Sequence, residues 1–200
     1  MNNEWNNRFQ TENYLYGTDP NVFISEMQKK LGLSGDALAI AEGEGRNAVF
    51  LAEQGMRVTA WDFAESGLQK TKKLAEIKGV NVQTMLVDLN EAVWETEKWD
   101  EIVCVFGHFP KETRNKTLEG VKRAVKPGGY FVSEVYSIHQ LPYKSGGPKE
   151  ISFLYSPEEF LQTFSDWRIV HFFMGEAIRH EGELHTGLAH VIQFVGQKLE

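Results

Sequence analysis

Ala37-Leu38-Ala39-Ile40-Ala41-Glu42-Gly43-Glu44-Gly45-Arg46-Asn47-Ala48 is the stretch on which the fold turns. Its first five residues are small or apolar and read as a buried strand. A two-glycine loop follows at once, and Asn47 to Gln54 then carries apolar residues at three- and four-residue spacing, the period of a helix with one buried face. The alternation continues downstream. Arg57 to Trp61, Val82 to Val87, Glu101 to Phe106 and Tyr130 to Val135 read as further buried strands, with helices predicted over Glu65 to Ile77 and Lys111 to Val125. Strand and helix in turn imply an α/β chain, a mostly parallel sheet with helices on both faces. Ser66-Gly67-Leu68 suits a helix start, while Lys78-Gly79 and Lys126-Pro127-Gly128-Gly129 suit helix stops.

Past the fifth strand the pattern changes. Leu141 to Pro148 has turn chemistry throughout, and Ser156-Pro157-Glu158-Glu159 opens a short helix with Ser156 as its cap. Trp167 to Met174 and Leu188 to Val195 enclose the polar segment Glu181 to Gly187, which predicts an antiparallel hairpin at the sheet edge. With no internal repeat or linker, residues 1–200 are expected to form a single domain.

The balance of 21 Lys+Arg against 28 Asp+Glu leaves a net charge of −7, which opposes a nucleic-acid or anionic-membrane partner. No apolar run approaches a bilayer span, the first residues lack a signal peptide, and Cys104 has no second cysteine to pair with, so a cytoplasmic protein acting on small molecules is expected. Both a monomer and a homodimer are compatible with the sequence.

At the end of the first strand, Gly43 and Gly45 let the backbone approach a ligand without a Cβ in the way, and the following helix N-terminus adds unpaired N–H groups. Asp62, 19 positions after Gly43, ends the second strand, where a carboxylate can accept from both hydroxyls of a ribose. Two cofactor types suit such an adenosine site: a nicotinamide dinucleotide and S-adenosylmethionine (SAM). A short-chain dehydrogenase needs Tyr-x-x-x-Lys, and no tyrosine here has a lysine four residues on. Val87-Asp88-Leu89, after the third strand, favours SAM, since Asp88 can take the adenine amino group while Leu89 covers the ring. An Asp88 that merely caps local backbone is the plain alternative.

Trp5-x-x-Arg8, Tyr16-Gly17-x-x-Pro20-Asn21, Ala41 to Ala48, Val58-Thr59-Ala60-Trp61-Asp62, Phe106-Gly107-His108-Phe109-Pro110 and Lys126-Pro127-Gly128-Gly129 follow one another in an order that is specific as a set. In these the chain resembles the class I SAM-dependent methyltransferases, within them the tellurite-resistance and thiopurine-methyltransferase-like branch. The resemblance implies a Rossmann-like seven-stranded sheet of order 3-2-1-4-5-7-6 with strand 7 antiparallel. It also implies that Gly43 and Gly45 approach the methionine part of SAM, Asp62 binds the ribose, Phe63 packs on the adenine, and Asp88 and Leu89 frame its edge. Tyr16, Asn47 and Phe106 complete the expected cofactor set, and residues 1–20 are expected to fold over it as a lid. Ala39 stands where many relatives carry an aspartate, so a carboxylate that helps hold the glycine loop is missing; Glu42 is the acid placed to serve instead.

Methyl transfer from a sulfonium is an in-line displacement that positioning alone can promote, with no metal required. A thiol or a tellurite- or selenite-like oxyanion would need little or no help in ionising, whereas an alcohol would need a base. His108 and His185 are the candidate bases, His185 lying in the expected hairpin turn. Thr186 follows His185 where tellurite-methylating relatives carry an arginine. His180, His185 and His190 are spaced by five, which scatters them over opposite strand faces and argues against a metal site. Three readings therefore stand: a SAM-dependent methyltransferase, a nicotinamide-dependent oxidoreductase, and a SAM-binding protein without catalysis.

Overall fold

In a computed structural model, residues 4–182 and 184–200 are described. The first three residues of the expected lid, and Glu183 of the hairpin turn, lie outside them. The helices are α1 (Glu4–Arg8), α2 (Val22–Leu31), α3 (Arg46–Glu53), α4 (Glu65–Lys78), α5 (Lys111–Ala124) and α6 (Pro157–Thr163). The strands are β1 (Asp36–Ile40), β2 (Arg57–Asp62), β3 (Val82–Leu86), β4 (Trp99–Val105), β5 (Val125–Tyr136), β6 (Arg168–Glu181) and β7 (His185–Gln197). They form one sheet of order β3-β2-β1-β4-β5-β7-β6, in which β7 runs antiparallel to both neighbours and the other pairings are parallel. This is the expected Rossmann-like order.

β1 and β4 at the centre are nearly continuous apolar runs because helices cover both of their faces. One face packs Leu38, Ile40, Ile102 and Phe131 with residues of α5 and α6; the other packs Ala37, Ala39, Val103 and Val132 with residues of α2, α3 and α4. Gly45 holds φ 95° at the N-cap of α3, and a Cβ there would lie 2.6 Å from Thr71 Oγ1. Its glycine is thus demanded by the close approach of α4 and by the left-handed backbone. At α6, Ser156 and Glu159 form a reciprocal capping box, the start expected from Ser156-Pro157.

The largest departures from the expected boundaries lie in β5 and the hairpin. β5 begins at Val125, directly after α5, because Lys126-Pro127-Gly128-Gly129 runs within the strand as well as ending the helix. Both hairpin arms are longer than their apolar runs, reaching Glu181 and starting again at His185. The polar residues Arg179, Glu181 and His185 point inward to partners, so His185 is the first residue of β7 and not part of the turn. No helix among the described residues is long and apolar enough to cross a membrane.

Glu101 is an anomaly in the core. It sits in β4 between Ala37 and Tyr130 of the neighbouring strands, fully buried, with Oε2 lacking any partner. Burial pushes its carboxyl up from 4.5 to about 8. A carboxyl whose folded value lies above its unfolded one adds no penalty below the unfolded pKa and destabilises increasingly as pH rises to the folded value. Replacing Glu101 by Met should therefore widen the stability gap between variant and parent by about 1–4 kcal/mol from pH 5 to pH 9 in urea unfolding; a constant gap would contradict this placement.

Candidate active site

The topological switch point lies between β1 and β4, whose carboxyl ends part into separate loops, and in open α/β sheets ligands bind there. Each strand is followed directly by a residue with left-handed backbone that is not glycine: Ala41 at φ 50° after β1 and Phe106 at φ 49° after β4. Strained backbone of this kind collects at functional sites.

Two carboxylates hold the glycine loop. Glu42 Oε1 accepts from the backbone N–H groups of Asn47 and Ala48, both at 2.8 Å, and so caps α3 from outside. Burial raises the Glu42 carboxyl to about 7, against the lowering by these bonds and by Arg46. Asp62 is buried; its Oδ2 accepts from Gly43 N and its Oδ1 from Ala64 N, each at 2.8 Å. Burial raises its carboxyl as well. An ionised carboxylate has about four acceptor positions, and a backbone bond from Phe63 joins those from Gly43 and Ala64, so Asp62 keeps capacity for one further donor such as a ribose hydroxyl.

The N-terminal segment lies across this loop. Glu44 Oε2 accepts from Leu15 N at 2.8 Å and Tyr16 N at 3.3 Å, while its Oε1 pairs with Lys70 of α4 at 2.6 Å. The Phe9 ring sits 3.1 Å from where a Cβ on Gly43 would be, so the bare side of that glycine receives an aromatic ring. Tyr16 then reaches His185, with ring centroids 4.5 Å apart.

His185 is buried in an aromatic cluster with Phe106 at 4.4 Å and Tyr136 at 5.5 Å, and Phe106 stacks on Tyr136 at 4.5 Å. Burial, then the charge of Arg46, lowers its imidazole to about 3. His108 lies behind Tyr136. Its Nδ1 bonds to Phe153 O at 3.0 Å and its Nε2 accepts from Tyr136 N at 3.3 Å, so both ring nitrogens hold backbone and neither is free to take a proton. Burial lowers it to about 4.

Elsewhere the expected residues are placed as follows. Phe63, after β2, exposes 44% of its surface. Asp88 is exposed, and its Oδ1 accepts from Asn90 N and Nδ2 at 2.9 Å in a local turn. Leu89 is buried in the same core cluster as Trp61 and Trp94. Asn47 turns its side chain back to accept from Asn21 N at 2.9 Å.

Sequence reasoning missed the charged network behind these residues. Arg46 Nη2 pairs with Glu181 Oε2 at 2.7 Å; Arg179 pairs with Glu134 through two nitrogens; Asn21 Nδ2 donates to both Glu134 and Glu181 at 2.9 Å; Gln193 Nε2 donates to Glu134 Oε2 at 2.7 Å. All four charged side chains are buried. Glu134, an acid inside the apolar run Tyr130 to Val135, was the available signal. Arg46 Nη1, Tyr136 Oη and His185 Nδ1 are buried atoms without a hydrogen-bond partner. They belong to residues gathered around one spot: Tyr136 and His185 share the ring cluster, and Arg46 acts on His185 through its charge. Among the described residues, no cluster of His, Cys, Asp and Glu could hold a metal ion.

The family model described as tellurite resistance protein TehB matches residues 12–190. A relative from Haemophilus influenzae, named a probable S-adenosyl-L-methionine-dependent methyltransferase TehB, is 29% identical over 146 residues, covering 72% of this chain and 48% of its own. A Mycobacteroides abscessus 2-heptyl-1-hydroxyquinolin-4(1H)-one methyltransferase is 27% identical over 136 residues, 66% of this chain and 60% of that one. The chain thus spans about half the length of the TehB relatives it matches. The crystal structure of TehB from Haemophilus influenzae superposes with a TM-score of 0.72 at 21% identity, over 88% of this chain and 61% of that one, a likeness of fold.

The network supplies a direct test. Replacing Glu181 by Ala leaves Arg46 buried without its partner, and urea unfolding should show a loss of about 3–5 kcal/mol; pairing it with Arg46→Met should recover part of that loss.

Proposed function

Because the chain belongs to the tellurite resistance protein TehB family, we propose that it is a SAM-dependent methyltransferase acting on a small, anionic or readily ionised acceptor. What supports this reading most is the set of three buried, unpartnered polar atoms, Arg46 Nη1, Tyr136 Oη and His185 Nδ1, beside the switch point. Buried polar groups left without partners cost free energy that a ligand can return.

The residues present fit the adenosine part of SAM. Asp62 has acceptor capacity for a ribose hydroxyl, Phe63 exposes 44% of its surface beside it in sequence, and the α3 N-terminus is held in place by Glu42. Glu42 supplies the clamp for which Ala39 has no carboxylate. Tyr16, Phe106 and Tyr136 gather aromatic faces near the same edge, an environment that attracts a sulfonium. Bound SAM supplies an electrophilic methyl group for in-line transfer. The N-terminal segment, fastened by Glu44, acts as the cover that excludes water.

Arg46 and Tyr136 bring donors to an acceptor oxyanion or thiolate, and His185 orients it as a neutral ring. Held near 3, His185 stays uncharged from pH 5 to 9, so the acceptor arrives already ionised and its own titration sets the rate. A thiol or a tellurite- or selenite-like oxyanion meets this condition; an alcohol does not. His108, with both nitrogens engaged, positions Tyr136 and the Phe153 loop.

Calorimetric titration with SAM and S-adenosylhomocysteine is the first check: both should bind in the micromolar range, NADH should not, and Asp62→Ala should weaken SAM by about 1–3 kcal/mol. S-adenosylhomocysteine should then accumulate with tellurite, selenite or a thiol as acceptor; binding without turnover by any of them would leave a SAM-binding protein without catalysis. His185→Gln should keep SAM affinity and lower kcat/KM by at least ~10-fold, and the parent's pH profile should lack a histidine step near 6.5.

A further inference from the structure

The two edges of the sheet are protected very differently. β3, at one edge, is 5 residues long. β6, at the other, is 14 residues long, pairs only with β7 among the described residues, and contains neither proline nor lysine. A register shift interrupts its first residues between Ile169 and His171; from His171 to Glu181 the strand runs without a bulge. Such a strand offers a row of outward-facing N–H and C=O groups, in which Ile178 O accepts from Arg179 Nη1 at 2.9 Å and keeps a second lone pair, and soluble proteins blunt edges of that kind unless a partner covers them.

The side chains point to what the partner is. Ile178, 64% exposed, is the most open apolar residue of β6, and its cross-strand neighbour on β7 is Leu188, also exposed. Two residues to either side of Ile178 on the same face lie Glu176 and His180, both exposed. A strand paired antiparallel with itself about Ile178 therefore places Glu176 opposite His180 of the other copy twice, with Ile178 on Ile178 at the two-fold axis and the two Leu188 side chains flanking it. The arrangement is closed and self-complementary, as an isologous dimer requires. Registers centred on Glu176 would set like charges face to face.

We propose that the β6 edge is the docking surface for a second copy of this chain, joining two seven-stranded sheets through antiparallel β6–β6 pairing centred on Ile178. The opposite face of the same stretch carries Arg179 and Glu181 into the buried charge network, so the partner strand braces the hairpin that holds Arg46. The proposal does not depend on which reaction the site performs.

Sedimentation and cysteine cross-linking test it. At about 50 µM the parent chain should sediment at twice its 22.8 kDa, and Ile178→Lys should sediment at 22.8 kDa with unchanged circular dichroism. Self-facing antiparallel residues have Cα atoms roughly 4.5–5.5 Å apart, within reach of a disulfide. The one native cysteine, Cys104, is buried, so oxidised Ile178→Cys should form a covalent dimer, whereas Leu86→Cys at the β3 edge should not. A parent that stays at 22.8 kDa up to about 100 µM, an Ile178→Lys variant that still dimerises, or an Ile178→Cys variant that fails to cross-link would overturn the proposal.

Discussion

Two guanidinium groups and two carboxylates buried together, Arg46 with Glu181 and Arg179 with Glu134, tie five parts of the chain into one arrangement. Removing four charges from water is expensive, and their mutual attraction repays that cost only when geometry and hydrogen bonding are good. Here Asn21 and Gln193 take up the remaining carboxylate positions, and Asn21 also caps α2 through Ile24 N. The end of the N-terminal segment, the start of α3, the carboxyl end of β5 and both arms of the hairpin are consequently set by a single charge-balanced cluster. A merely apolar contact would allow these elements to slide against each other; the paired fork geometry of arginine and carboxylate does not.

The glycine loop rests on a different balance. Ala41 holds a left-handed backbone that costs a residue with a Cβ roughly 1 kcal/mol or more, and Glu42 and Asp62 are raised by their burial. These unfavourable terms are offset locally by four backbone N–H bonds to the two carboxylates. The loop is thus over-determined by short hydrogen bonds on one side and by the Gly45–Thr71 approach on the other.

How far the sequence was legible follows from the same forces. The parallel centre was plain, since strands covered on both faces appear as uninterrupted apolar runs such as Ile102 to Val105. The glycine loop and Asp62 were legible because backbone conformation and strand-end placement leave local traces. The hairpin arms look short in the sequence because Arg179, Glu181 and His185 are polar and so resemble a turn; Glu134 and Arg46, which pair with Arg179 and Glu181, lie far away in the chain, and no local period encodes such a pairing. His108 and Leu89 carried residue types suited to chemistry and to ring packing, yet only the folded chain shows that one holds backbone with both nitrogens and the other fills the core.

The fastening of residues 9–16 has a consequence for affinity as well as for shelter. Phe9 rests on Gly43, and Glu44 holds Leu15 and Tyr16 from beneath. Any group that comes to lie against the Gly43 Cα must first take the place of that ring, so it can bind only an arrangement in which the glycine is uncovered. Apparent affinity is then the intrinsic affinity multiplied by the uncovered fraction. Sequence changes at Phe9, whose ring holds that position only while the glycine is covered, would retune how tightly the protein holds its ligand without touching the aromatic faces of Tyr16, Phe106 and Tyr136.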